Sequence, residues 1–185
     1  MKAHIISYAD DFVILCRGTA QAARSRMEQM MQKLKLTVNP QKTRVCRVPE
    51  ESFDFLGYTL GRCYRAKTGT PYLGSKPSKK AVAKVCTQIG QMTQRTLGWK
   101  ETEVLVADLN QKLQGWANYF RLGSVHKAYR IVDGHVRYRL RRWLCHKHKV
   151  QGQGKNRFRD EYLNTELGLI RLERLKTNRP WANAT

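Results

Sequence analysis

SYADDFVILC, residues 7–16, sets two adjacent carboxylates, Asp10 and Asp11, between apolar runs. Ile5 and Ile6 before the pair, and Phe12, Val13, Ile14 and Leu15 after it, are rich in β-branched and aromatic residues and read as strands. Asp tolerates turn geometry where Val and Ile do not, so the pair falls at a tight strand–turn–strand. Two readings of the carboxylates stand side by side. One is a solvated hairpin tip. The other is a set of oxygen ligands for Mg²⁺, a cation that would remove their mutual repulsion.

Downstream of this hairpin, Thr19 is placed to cap a helix carrying the stripe Met27, Met30, Met31 and Leu34. LKLTVNPQKTRVCRV (34–48) reads as two extended pieces about the Asn39-Pro40 turn. FDFLGYTL (53–60) alternates like a further strand, with Gly57 marking a bend or a close backbone approach. Residues 62–76 read as another hairpin around Lys67-Thr68-Gly69-Thr70. From Pro77 the period becomes helical. Val82, Val85, Cys86, Ile89 and Met92 form one stripe, which Gly98 can close, and Leu105, Leu109, Leu113, Trp116 and Phe120 form a second. Ser124 can cap a third helix running towards residue 149, and three such helices with short connections read as a bundle. After the break QGQGKNR (151–157), the tail holds enough apolar residues to dock one short helix. The fold class is α+β.

The 185 residues carry a formal charge of +21, unevenly spread. Residues 1–60 hold 9 Lys and Arg against 6 acids, whereas residues 61–185 hold 26 against 8. Such an excess is tolerable beside a polyanion, so nucleic acid is the favoured partner. No run approaches the roughly 20 apolar residues of a membrane span, and a membrane partner is not expected. The cysteines at 16, 46, 63, 86 and 145 are scattered without a C-x-x-C, which argues against both a disulfide framework and a zinc site. No secretory signal is visible, and a reducing cytoplasm is the expected location.

The third helix concentrates charge on one side. Arg130, Arg137, Arg141 and His148 cluster with Lys127 nearby, opposite the apolar Ala128, Val132, Val136, Leu140 and Trp143. Arg142, Lys147, Lys149 and Lys155 add charge near or beyond this face, with few acids to neutralise it. Lys127, Arg130, Arg137, Arg141, Arg142, Lys147 and Lys149 are therefore the expected phosphate-binding residues. Arg139 falls on the apolar side and must snorkel or find a partner.

YADDF (8–12), LKLTVNPQKT (34–43) and FDFLGYTL together resemble the later palm motifs of group II intron reverse transcriptases, and LNQKLQGWANYFRLG (109–123) resembles the maturase, or thumb, signature of that family. The resemblance implies a partial palm over 1–76, a three-helix thumb over 77–150, and a basic C-terminal extension with a short helix over 151–185. It implies catalytic roles for Asp10, Asp11 and Lys42. The two aspartates would help to hold two Mg²⁺ ions, and Lys42 would assist departing pyrophosphate or serve a structural role. It places Tyr8 and Ala9 beside the primer end, and Phe55, Leu56 and Gly57 at the turn that grips the primer strand.

The family's fingers and its partner carboxylate have no counterpart here, so Asp10 and Asp11 alone are expected to form an incomplete metal site. Three functions fit these residues. The chain could be one part of a polymerase completed by a separate N-terminal reverse-transcriptase chain, acting on primer–template RNA or DNA. It could instead be an RNA-binding protein that stabilises group II intron RNA for splicing. The third reading is a truncated remnant.

Overall fold

The computed structural model describes residues 3–65 and 68–175. Strands β1 (Ala3–Tyr8) and β2 (Asp11–Cys16) pair antiparallel, with Ile5 opposite Ile14 and Tyr8 opposite Asp11. Ala9 and Asp10 form the two-residue turn, Ala9 at a positive φ of 49°. The expected hairpin is present, but the carboxylate pair is divided by it: Asp10 lies in the turn and Asp11 begins β2.

Helix α1 (Ala20–Lys33) starts after Thr19, whose side chain makes no capping bond. Ala23 and Met27 are buried, while Met30 and Leu34 are exposed. The Met stripe is thus only half covered, because α1 packs chiefly on β2. Residues 36–52 form no strand, contrary to the two extended pieces expected there. Local bonds replace a ladder: the Gln41 N–H donates to Asn39 Oδ1 (2.9 Å), and the Thr43 N–H and hydroxyl donate to Asn39 O.

FDFLGYTL is a hairpin, not a single bent strand. Strand β3 (Phe53–Phe55) pairs with β4 (Tyr58–Tyr64), Phe55 opposite Tyr58. Leu56 and Gly57 between them have φ of 50° and 77°, as a type I′ turn requires. Strand β5 (Pro71–Pro77) adds to β4 and completes a three-stranded meander. The hairpin expected over 62–76 is this β4–β5 pair, though Lys67 at its turn lies outside the described residues.

Three helices follow, as the stripes require: α2 (Lys79–Met92), α3 (Thr102–Tyr119) and α4 (His126–Lys147). Ser78 Oγ accepts the Ala81 N–H (3.1 Å) and caps α2. Helix α2 ends at Met92, before Gly98, which closes a separate 3₁₀ turn at Arg95–Leu97. Ser124 does not cap α4; its N–H donates instead to Ser75 O on β5 (2.7 Å).

The core lies among these helices and the tail. Val85 and Ile89 of α2 meet Leu105, Leu109 and Leu113 of α3 and Val132, Val136, Leu140 and Trp143 of α4. Phe158, Leu163, Leu169 and Leu172 complete the same cluster. The tail docks by a π-type turn (Tyr162–Glu166) and a 3₁₀ turn (Leu172–Arg174), not by a regular helix. Polar clasps hold it. Asn110 bonds both Gly168 O and the Ile170 N–H, and the buried Asp133 accepts the Leu172 and Glu173 N–H groups. Burial pushes the Asp133 carboxyl up from its ordinary value, against the opposing pull of those two N–H donors and Arg137.

Candidate nucleic-acid interface

The hairpin tip presents Tyr8, Ala9, Asp10 and Asp11 to solvent. Neither aspartate side chain makes a hydrogen bond or ion pair among the described residues. Two carboxylates on one hairpin are acceptable Mg²⁺ donors, but no group of three or more His, Cys, Asp or Glu that could hold a metal ion occurs among the described residues. The donor set therefore does not fit a complete two-metal centre. Lys42 is exposed on the Asn39 turn, its N–H bonded to Asn39 O (3.3 Å).

The Leu56–Gly57 turn is joined to the end of α3. Tyr119 Oη donates to Leu56 O (2.9 Å), Tyr58 Oη donates to Tyr119 O (2.6 Å), and the Ser78 N–H donates to Gly57 O (2.8 Å). The Phe120 ring lies against Gly57, where a Cβ would approach it to 3.0 Å. Gly123 makes the second close approach: a Cβ there would strike Ser75 O, and its φ is 75°. Burial pushes the Tyr58 phenol up from its ordinary value. Leu56 and Gly57 are thus held by two tyrosines and a ring from FLGY and GWANYF, while Phe55 pairs with Tyr58 in the ladder. The reciprocal role of Tyr58 and Tyr119 is not encoded in either motif alone. In the sequence, Tyr119 falls off the stripe formed by Leu105, Leu109, Leu113, Trp116 and Phe120, and no other local pattern marks it.

Trp116 and Phe120 extend that stripe as expected. Phe120 is buried, and Trp116 packs on Phe120 and Tyr129 with its indole N–H unpartnered among the described residues. Tyr129 Oη donates to Ala117 O and Phe120 O at the end of α3.

The basic face of α4 is less free than its sequence implies. Arg141 bonds Phe158 O (2.8 Å) and pairs with Asp160, to which Arg137 also pairs at 3.4 Å. The Arg141 side chain is only 12% exposed. Arg130 pairs with Glu173 at 3.1 Å, and Lys147 Nζ donates to Gly98 O and Lys100 O. The expectation that few acids neutralise this face is therefore corrected: tail acids turn three of its arginines towards the tail. Lys127 and Arg142 remain exposed, and neither makes an ion pair among the described residues. Arg139 finds its partners at the end of α2, donating to Thr93 Oγ1 (3.0 Å), Gly90 O (2.8 Å) and Thr93 O (3.2 Å).

Near this end of α4 a cleft of about 500 Å³ is lined by Thr93, Arg95, Arg139, Arg142, His146 and Lys149, among others. No acid lines it. Arg95 is the cation that sequence reading missed, since it lies on the short turn after α2 and on no helical stripe.

Two family models match the chain. Reverse transcriptase (RNA-dependent DNA polymerase) matches residues 1–60, and the group II intron maturase-specific domain matches residues 82–163. In this order the two matches correspond to the C-terminal part of a reverse transcriptase followed by a group II intron maturase-specific domain. The maturase-specific match runs through α2, α3 and α4 to Leu163, so it includes the tail segment carrying Phe158 and Asp160. The reverse-transcriptase match takes in the aspartate hairpin and the Leu56–Gly57 turn. No curated protein matches the chain. Among the described residues, no helix is long and apolar enough to cross a membrane.

Proposed function

We propose that the chain binds folded group II intron RNA through its helical domain and so supports splicing. The observation that carries this reading is the surplus of unpaired cations at one end of the maturase-specific domain. Arg95, Arg142 and Lys149 meet at a cleft that no acid lines. Phosphates are the natural counterions for such a surface, and duplex RNA is recognised largely through its shape and backbone. Splicing chemistry then resides in the RNA, while the protein neutralises phosphates and holds the folded form.

RNA-directed DNA synthesis is the second part of the proposal. In-line transfer of a nucleotide needs two metals, clamping the attacking and leaving oxygens. Asp10 and Asp11 would serve in such a Mg²⁺ site only with a further carboxylate from another segment or chain. Tyr8, Ala9 and the Leu56–Gly57 turn would then border a primer.

RNA titration across salt tests the first part. Each neutralised phosphate contributes about −0.7 to −0.9 to the slope of log K against log salt, so six contacts lose about a thousandfold in affinity between roughly 50 and 200 mM. Steep loss with a folded intron-domain hairpin is expected. Affinity flat across that range overturns the electrostatic reading.

A further inference from the structure

The turn that contributes Arg95 to the cleft at the end of α4 also carries an exposed aromatic ring. Trp99 is 76% exposed, the most exposed large apolar side chain among the described residues. It is not on a loose loop. Lys147 Nζ donates to Gly98 O (3.3 Å) and Lys100 O (2.7 Å), the carbonyls on either side of it. Trp143 Nε1–H donates to Leu97 O (3.3 Å), and Lys100 pairs with Asp108. Gly98, immediately before Trp99, sits beside the ring of His146, which lines the cleft, and Arg95 at the start of this turn lines it too. One fixed turn therefore carries a cleft cation and an outward indole.

The charge of the cleft is in excess of what the protein itself uses. Two helices end here, and their terminal carbonyls already have donors. Arg139 satisfies Gly90 O and Thr93 O at the end of α2. The His148, Lys149 and Val150 N–H groups satisfy Leu144 O, His146 O and Cys145 O at the end of α4. Arg95, Arg142, His146 and Lys149 are left with no side-chain hydrogen bond or ion pair among the described residues. Like charges gathered without acids repel, and a bound anion removes that cost. A volume of about 500 Å³ falls within the roughly 300–1,000 Å³ usual for ligand clefts.

We propose that this cleft and Trp99 together hold one unpaired nucleotide of a nucleic-acid strand, its phosphate among Arg95, Arg142 and Lys149 and its base stacked on the Trp99 indole. The proposal rests on the RNA-binding reading and adds a strand type to it: an unpaired segment with an accessible base face, which a duplex does not offer. Sequence-tolerant stacking of this kind needs only a rigid ring beside a cationic track.

Four probes separate the outcomes in one fluorescence-anisotropy experiment on the full chain: a folded intron-domain hairpin, an unstructured oligouridine strand, the same strand with abasic sites, and its deoxy counterpart. Trp99→Ala is expected to weaken the oligouridine by about ten- to a hundredfold while leaving the abasic strand unchanged. Arg95→Gln, Arg142→Gln and Lys149→Gln combined are expected to weaken both strands and to lower the salt slope by about 0.7–0.9, the share of one phosphate. These four side chains leave the core untouched, and circular dichroism melting confirms that each variant folds. Equal loss of the deoxy strand identifies a generic single-strand site, and selective loss of the RNA strand an RNA site; either upholds the proposal. Hairpin binding with oligouridine affinity indifferent to Trp99 overturns the proposal and spares the RNA reading. Failure of the wild-type chain to bind any probe overturns both.

Discussion

The aspartate hairpin with α1 and the three-helix body lie in one chain and are held by different means. In the body, every large fully buried side chain, from Val85 and Ile89 to Leu163 and Leu172, belongs to one cluster. In the first 50 residues the buried apolar side chains among those described are Ala23 and Met27, and Ile5, Ile6 and Leu15 lie exposed on β1 and β2. The hairpin is specified by its two-residue turn and its ladder, and the body by burial. Turn chemistry and ladder bonds set a local shape with little net stability, because protein hydrogen bonds replace bonds to water. Removing apolar surface from water contributes most of the free energy of folding. Asp10 and Asp11, the residues proposed for metal chemistry, therefore ride on the less stable part, joined to the body by the Leu56–Gly57 turn and the short β-meander.

The widest contrast is in core truncation. Leu140→Ala in α4 should cost about 2–5 kcal/mol, as fully buried leucines do. Ile5→Ala on β1 should stay within about 0.5 kcal/mol. Denaturant unfolding of the two variants measures both. A cost above about 2 kcal/mol for Ile5→Ala would break the comparison, by showing that the hairpin buries its apolar face after all.

The junction between the regions should give an intermediate effect. Gly57→Ala places a Cβ at a φ of 77° and drives it towards the Phe120 ring, which has Tyr58 and Trp116 on its other contacts. Backbone strain and displaced packing together should cost about 1–3 kcal/mol. Hydrogen exchange adds the sharper readout. Loss of protection should concentrate in β3, β4 and the end of α3, where Tyr58 and Tyr119 exchange their bonds, and should leave the middle of α4 unchanged. Uniform loss along the chain would mean that the turn is no junction.

These two regions also differ in how far their sequence can be read. The hairpin and the three helical stripes follow local rules of turn residues and periodicity, and those rules hold at Asp11–Cys16, Leu105–Leu113 and Val132–Trp143. Partners far along the chain leave no periodic trace. Nothing in the α4 pattern marks Arg137 and Arg141 for Asp160, which lies beyond the Gly-rich break, or Lys147 for the carbonyls of Gly98 and Lys100. The basic face was legible as a composition and not as a set of free cations. Residues 36–52 failed for the converse reason: an apolar-alternating stretch forms a strand only if a neighbouring edge takes it up, and Asn39 offers the backbone a local alternative.

The smallest expected effect lies inside the body, at the α2–α4 contact. His135 Nε2 is 3.0 Å from Cys86 O, and burial holds the imidazole below its ordinary value of 6.5. The Cys86 carbonyl opposes that shift and Arg139 adds to it. Between 6.5 and the lower folded value the unfolded chain binds more protons, so stability rises with pH and is lost as pH falls through this window. Asp133 acts in the opposite direction: its raised value means that stability falls as pH rises above 3.8. A comparison that removes this one histidine isolates the first term, because Asp133 and the other four histidines are common to both proteins. His135→Gln keeps an N–H donor for Cys86 O and removes the titration. Melting at about pH 7.5 and about pH 5 should show a smaller acid-induced drop in Tm for His135→Gln than for the parent chain. Equal drops would place the acid sensitivity elsewhere and leave the α2–α4 contact indifferent to pH.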